Sequence, residues 1–225
     1  MSMLPTYYTE ILYPLQDKVL DGLKGLAWPF YLSGGTALSR GYLQHRYSDD
    51  LDFFMNRESE FLPCVDAAVD KLVSIGLAIE PVVRTDDFVK FYVKFNNATL
   101  KIEWINGVAY TYGNKGPSPV FVRTDHWQNI LSNKLSALGR NESKDFADLL
   151  VISQTYSFDW FEVIEQAKQK DQWVDEIEIS RLIQTLDIQR LREVNWISSP
   201  DLGKLNRIKE QISKEIILGV KHRID

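Results

Sequence analysis

From Thr9 to Leu26, apolar residues recur at Ile11, Leu12, Leu15, Val19, Leu20 and Leu23. That spacing marks one face of a helix, with Gly25 at its expected end. Phe30-Tyr31-Leu32 then reads as a short strand, and Ser33-Gly34-Gly35-Thr36 as a small-residue turn. A brief helical pattern follows, with Leu38, Tyr42 and Leu43 on one side. Asp50-Leu51-Asp52-Phe53-Phe54 alternates like a strand, which puts Asp50 and Asp52 on one face and Leu51 and Phe53 on the other. Leu62 to Ile75 is a second amphipathic helix closed by Gly76. Val89 to Ile105 reads as a β-hairpin turning at Asn96-Asn97.

Beyond this point the pattern becomes helical. Asp125 to Leu138 carries Trp127, Ile130, Leu131, Leu135 and Leu138 on one stripe. Ser143 is a good N-cap for a helix bearing Phe146, Leu149, Leu150 and Ile152. Three further stripes follow: Trp160, Phe161, Ile164 and Ala167; then Ile177, Ile179, Leu182, Ile183 and Leu186; then Leu205, Ile208, Ile212, Ile216 and Ile217. Gly116-Pro117-Ser118-Pro119 marks the change. The expectation is an α+β chain with an α/β domain over 1–118 and a helical domain over 119–225.

Composition adds little beyond exclusions. With 225 residues the chain can build a real core. One cysteine, Cys64, rules out an internal disulfide and sits in an apolar pattern, as a small core residue does. No run of about 18 apolar residues predicts a membrane span, and the N-terminus lacks the basic and apolar regions of a signal peptide. The expectation is therefore a cytoplasmic protein with no membrane partner. The net charge of −5 does not advertise nucleic-acid binding, so such a partner needs a local basic patch. Lys204, Arg207, Lys209, Lys214, Lys221, His222 and Arg223 offer one, although a solvated helix face explains them equally well.

The chemistry concentrates in Phe30 to Phe54. Two carboxylates on one strand face repel and lose hydration, and a divalent cation is the usual remedy. Mg²⁺ takes one or two carboxylates together with phosphate oxygens. The Gly-Gly turn ahead of a helix offers N–H groups to an anion. Carboxylates and cradle together read as a nucleotide-handling site. Lys134 lies on the core-facing stripe of its helix, where an ammonium needs an anionic partner or must snorkel to water. That partner is either nucleotide phosphate or the carboxylate cluster. His45, His126 and His222 have no metal-ligand spacing, and for His45 a phosphate contact and a surface role are both open.

Gly34-Gly35-Thr36-Ala37-Leu38, Arg46-Tyr47-Ser48-Asp49-Asp50-Leu51-Asp52-Phe53, Asn133 to Leu138, Arg140 and Lys144 to Asp148 occur in this order. They resemble the AbiEii/AbiGii nucleotidyltransferase toxin family of the polymerase-beta-like superfamily, over roughly the first two-thirds of the chain. The resemblance implies a polymerase-beta-like core with a mixed sheet and a helical C-terminal region. It implies transfer of a nucleotide from an NTP, with Mg²⁺ or Mn²⁺ held by Asp50 and Asp52. Glu103 is the candidate third carboxylate, against the plainer reading of a strand residue paired with Lys101 or Lys94. Ser33, Gly34, Gly35 and Thr36 would hold the triphosphate, with Arg46 and Ser48 beside them. Ser48 fits better as a support of the metal loop.

The resemblance also favours phosphate contact for Lys134. It gives Asp145 a part in catalysis, either directly or by holding Lys134 or Arg140, with Asp148 as the alternative acid. Asp145 can equally be an ordinary first-turn helix acid. A tRNA 3′ end is the leading acceptor and a cognate antitoxin the implied partner. The alternatives are transfer to a protein or small molecule, and a non-catalytic nucleotide- or partner-binding module.

Overall fold

The computed structural model describes residues 3–224; Met1, Ser2 and Asp225 lie outside it. The chain forms two compact units. The first takes the described residues up to Tyr42, with Tyr47–Ala109 and Asn114–Asp125. The second takes Leu43–Arg46, Tyr110–Gly113 and the helical remainder from His126.

The first unit opens on α1 (Met3–Thr6), a π-helical stretch Tyr7–Leu12, and α2 (Tyr13–Leu23). Pro14 lies in the first turn of α2, where its missing N–H is least costly. Then come β1 (Tyr31–Ser33), α3 (Gly34–Leu38), a π-helical stretch Ser39–Leu43 and β2 (Leu51–Asn56). The expected turn at Ser33 to Thr36 is thus already helical from Gly34. After α4 (Phe61–Ser74), β3 (Ala78–Arg84), β4 (Phe88–Phe95) and β5 (Ala98–Gly107) complete a sheet of order β1-β2-β5-β4-β3.

The sheet is mixed: β2 and β5 are parallel, and the other three pairs are antiparallel. The β4–β5 hairpin turns at Asn96, whose φ of +51° suits asparagine. On β2, Leu51, Phe53 and Met55 are fully buried while Asp52, Phe54 and Asn56 face the other side. Phe53 stacks on Trp104 at 4.7 Å between ring centroids, and Phe30 meets Trp104 edge-on at 5.0 Å. Each such side chain contributes about 1.5–3 kcal/mol by leaving water, so this cluster anchors the strands behind Asp52. Cys64 is in the same unit's core, and burial pushes its thiol up to about 12.

β3 has no counterpart in the hydrophobic pattern. It is an exposed edge strand carrying Pro81, where the register slips. Edge strands need no alternation, and proline is tolerated only there.

The second unit contains α5 (Trp127–Ala137), a 3-10 turn Leu138–Arg140, α6 (Ser143–Thr155), β6 (Phe158–Asp159), α7 (Trp160–Lys168) and α8 (Glu176–Thr185). A 3-10 segment Ile188–Glu193, α9 (Leu202–Leu218) and β7 (Lys221–His222) follow. Ser143 is the first helical residue of α6, and Glu142 holds the N-cap position instead. Phe161, Ile177 and Ile217, expected on buried stripes, are exposed; Val163 and Ile164 carry the α7 core contact. The small antiparallel pair β6–β7 was hidden by its two-residue length. It buries His222, whose Nδ1 meets Glu215 Oε2 at 2.7 Å and whose Nε2 meets the Ser153 carbonyl at 2.6 Å. His222 is therefore not part of a solvated basic face.

Charge also fills this core. Lys134 on α5 and Asp145 and Asp148 on α6 are buried together. The Lys134 ammonium lies 2.7 Å from Asp145 Oδ1 and 2.7 Å from Asp148 Oδ2. Arg46 reaches Asp148 through two bonds, Nε to Oδ1 at 2.6 Å and Nη2 to Oδ2 at 2.7 Å. His45 Nε2 is 2.8 Å from Asp148 Oδ1, and Arg140 donates to Asp145 at 3.1 Å.

Burial alone would raise the Asp148 pKa, but Arg46 and Lys134 hold it well below the usual carboxylate range. Burial alone would lower that of Lys134, but Asp148 and Asp145 outweigh it and the net shift is upward. A depressed carboxylate stabilises the fold above about pH 3.9 and loses that effect in stronger acid; a raised lysine stabilises it below about pH 10.4 and loses that effect in stronger base. The urea midpoint should therefore be insensitive to these groups from about pH 5 to 9 and fall below pH 4. Asp148→Asn leaves buried cations short of a partner and should cost about 3–5 kcal/mol near neutrality, with a shallower acid limb. Urea titrations of both proteins across pH test this; a change under about 1 kcal/mol would remove the cluster as a determinant of stability.

Candidate active site

In the first unit the pairing of strands gathers three carboxylates. Antiparallel β1–β2 pairing sets Ser33 opposite Asp52, and parallel β2–β5 pairing sets Asp52 opposite Glu103. Asp50 immediately precedes β2, two residues from Asp52.

Gly34 explains how α3 comes so close to them. Its φ of +68° suits glycine, and a Cβ there would overlap the Asp52 carboxylate. The Thr36 hydroxyl donates to the Asp50 carbonyl, tying α3 to the chain entering β2. Ser33 is the N-cap residue of α3, but its hydroxyl does not cap the helix. It donates instead to Asp125 Oδ2 at 2.7 Å. The first turn of α3 is therefore not capped by the Ser33 hydroxyl.

The cation in this group is Lys101 on β5. Its ammonium lies 2.8 Å from Asp50 Oδ2 and 3.4 Å from Glu103 Oε1; Lys90 is 3.8 Å from the same Glu103 oxygen. Burial would lower the Lys101 pKa, but the Asp50 hydrogen bond and the Asp50, Glu103 and Asp52 charges raise it overall. All three carboxylates therefore act on one lysine. Glu103 is thus both the strand neighbour of Asp52 and a partner of Lys101. The donor set is hard oxygen, as Mg²⁺ and Mn²⁺ require. Among the described residues, no group of three His, Cys, Asp or Glu is arranged to hold a metal ion as it stands.

Ser48 and Asp49, just ahead of Asp50, are held by the Tyr7–Leu12 stretch and α2. Gln16 donates to the carbonyls of Ser48 and Asp49 at 3.0 and 3.2 Å, and Tyr8 donates to Asp49 at 2.5 Å. The Ser48 N–H donates to the Tyr13 hydroxyl at 3.2 Å. Ser48 is buried in this support, next to the carboxylates in sequence.

Two residues were missed by the sequence reading. Asp125, expected to begin a helix, instead continues an extended segment along β1: Leu32 donates to Arg123 and accepts from Asp125, at 2.9 and 2.8 Å. Its carboxylate is fully buried and receives Ser33 from 92 residues away, a distance no motif spacing signals. Lys115 lies 4.5 Å over the Tyr31 ring and 3.4 Å from Asn56 Oδ1, and burial lowers its pKa. Of the other expected residues, Arg46, Lys134 and Asp145 belong to the second unit, where they meet one another through Asp148 and Lys134.

The fold is shared with solved structures. JHP933 from Helicobacter pylori matches with a TM-score of 0.56 at 21% identity, over 92% of each chain. MenT4, a nucleotidyltransferase toxin from Mycobacterium tuberculosis, matches with a TM-score of 0.63 at 15% identity, over 89% of this chain and 81% of that one. No curated protein matches. The family model of the nucleotidyl transferase AbiEii toxin, type IV toxin–antitoxin system, covers residues 18–199, a span that takes in both the carboxylate strands and the Lys134 helix, and on that match the chain belongs to the AbiEii nucleotidyltransferase toxin family.

Proposed function

We propose that this chain transfers a nucleotide from an NTP to an acceptor hydroxyl in a Mg²⁺- or Mn²⁺-dependent reaction, with RNA, and tRNA in particular, as the acceptor. The observation that carries the reading is the contact of Gly34 with Asp52. It sets the start of α3 beside carboxylates that only a cation makes tolerable. The family generally uses an NTP and a divalent metal, and its type IV toxin–antitoxin system implies an antitoxin partner. A role in phage defence is part of the same proposal. Among the described residues no helix is long and apolar enough to cross a membrane.

In this reading the N–H groups at Gly34, Gly35 and Thr36 receive the triphosphate, and Ser33 is fixed for that task by Asp125. The acceptor oxygen bonds to the α-phosphorus, the bond to the pyrophosphate oxygen breaks, and the acceptor proton leaves to water. A metal held by Asp50, Asp52 and Glu103 would supply neutralisation of phosphate charge and a more acidic acceptor hydroxyl. Lys101 already does part of this work for the carboxylates and must give way to a divalent ion. Arg46, Lys134 and Asp145 are paired within the second unit, so their removal should damage the fold.

Incubation with each α-³²P-labelled NTP, Mg²⁺ and total cellular RNA tests the reaction. Label in a tRNA-sized band should be lost by at least about 100-fold in Asp50→Ala and Asp52→Ala, the scale of lost electrostatic stabilisation. Label that persists in both variants would overturn the reading. Gly34→Ala should abolish transfer without unfolding the sheet, as read by circular dichroism; activity within about twofold of wild type would show that α3 does not need its present approach. Lys101→Met should tighten Mn²⁺ binding by about tenfold, or 1.4 kcal/mol, in calorimetry, by removing the competing cation. Unchanged or weaker binding would separate Lys101 from the metal site.

A further inference from the structure

Lys115, in the first unit, stands over the sheet face that carries the carboxylates, and the reaction above gives it no part. Tyr31 and Ser33 share one face of β1, and Asp52, Phe54 and Asn56 share one face of β2. An ammonium 4.5 Å over the Tyr31 ring and 3.4 Å from Asn56 Oδ1 therefore covers that face. Among the described residues no carboxylate forms an ion pair with it. Burial lowers its pKa; Asp125, whose carboxylate already receives Ser33, offsets this only in part, and Arg123 adds to it. Lys115 is thus a part-buried cation with donor capacity to spare.

The strand register shows what lies beside it. Ser33, Asp52 and Glu103 form one row across the sheet, and Tyr31, Phe54, Ile105 and Phe88 form the next row on the same face. Phe54, Ile105 and Phe88 are each part-exposed, so an apolar shelf adjoins the carboxylates. The two rows are two residues apart, about 7 Å along the strand. β1 runs from Tyr31 through Ser33 into α3. From the carboxylate row, α3 therefore lies one way along β1, and the shelf and Lys115 lie the other. A nucleotide with its triphosphate at α3 and its α-phosphorus at the carboxylates extends ribose and base toward the shelf. A flat ring suits an aromatic surface, as a phosphate does not.

We propose that the shelf at Phe54 and Ile105 holds the base of the incoming NTP and that Lys115 donates to a carbonyl oxygen of that base, which selects guanine, cytosine or uracil over adenine. Adenine has no carbonyl and presents an amino group where guanine presents an oxygen, and a lysine is a donor only. Stacking on an aromatic side chain with a hydrogen bond at the edge is the common way unpaired bases are held. The proposal rests on the nucleotidyltransferase reading, which places the triphosphate at α3.

Calorimetry on the full chain with Mg²⁺ and each of the four NTPs, without acceptor, tests this. At least one of GTP, CTP and UTP should bind about tenfold or more tighter than ATP. Lys115→Met keeps the stem over Tyr31 and loses the donor, and should bring the four NTPs within about twofold of one another. Phe54→Leu, with the fold checked by circular dichroism, should weaken all four severalfold and leave their order unchanged, because stacking is indifferent to the base. ATP bound as tightly as the rest, or a preference untouched in Lys115→Met, overturns the proposal. An equal loss for all four NTPs and for inorganic triphosphate in Lys115→Met also overturns it and makes Lys115 a phosphate contact. A loss confined to a single-stranded RNA octamer overturns it as well and gives the face to the acceptor. The labelled-NTP assay separates the two readings: transfer without base preference overturns the base site alone, and base-selective binding in a protein that never transfers overturns the enzyme alone.

Discussion

Parallel pairing of β2 with β5 is the constraint from which the first unit follows. Parallel neighbours cannot be joined by a tight turn. The chain leaves the sheet after β2 as α4, re-enters it at the far edge as β3 and works back through β4 to β5. The same pairing presses Phe53 onto Trp104 on the buried face and sets Asp52 level with Glu103 on the other. Core and carboxylates are thus two sides of one register. A slip by one residue would bury the acids and expose the aromatics.

The two units treat their charges differently. Lys101 and its carboxylates are each about a quarter exposed, so water and ions can compete for them. Lys134, Asp145 and Asp148 are sealed from solvent and joined by short bonds at both carboxylate oxygens of Asp148. The first arrangement is exchangeable and suits a place where charge comes and goes. The second is fixed, because removing any member strands another in a medium that cannot solvate it.

Much of this was legible in the sequence where a period was present. The alternation of β2, β4 and β5, the turn at Asn96 and the helices α4 and α5 followed from apolar spacing, and the Asp50/Asp52 face followed from strand geometry. β3 was not legible because an exposed edge strand has no buried face to write into the pattern. Phe161, Ile177 and Ile217 misled because an apolar residue next to a stripe is not obliged to be in it. The Lys101–Glu103 pair was legible from strand spacing, but the Asp125–Ser33 bond, the contact of Lys101 with Asp50 and the burial of His222 depend on which distant segments meet, and no local spacing records that.

The bidentate bond between Arg46 and Asp148 joins residues 102 positions apart, yet both belong to the helical unit. That unit is consequently not a C-terminal cassette. A fragment beginning at His126 would carry the Asp148 carboxylate without the Arg46 guanidinium that neutralises it and without its His45 hydrogen bond. During synthesis, the stretch around Arg46 leaves the ribosome long before α6 exists, and has to wait for a partner encoded about a hundred codons later. The helical unit can reach its final form only once nearly the whole chain has been made.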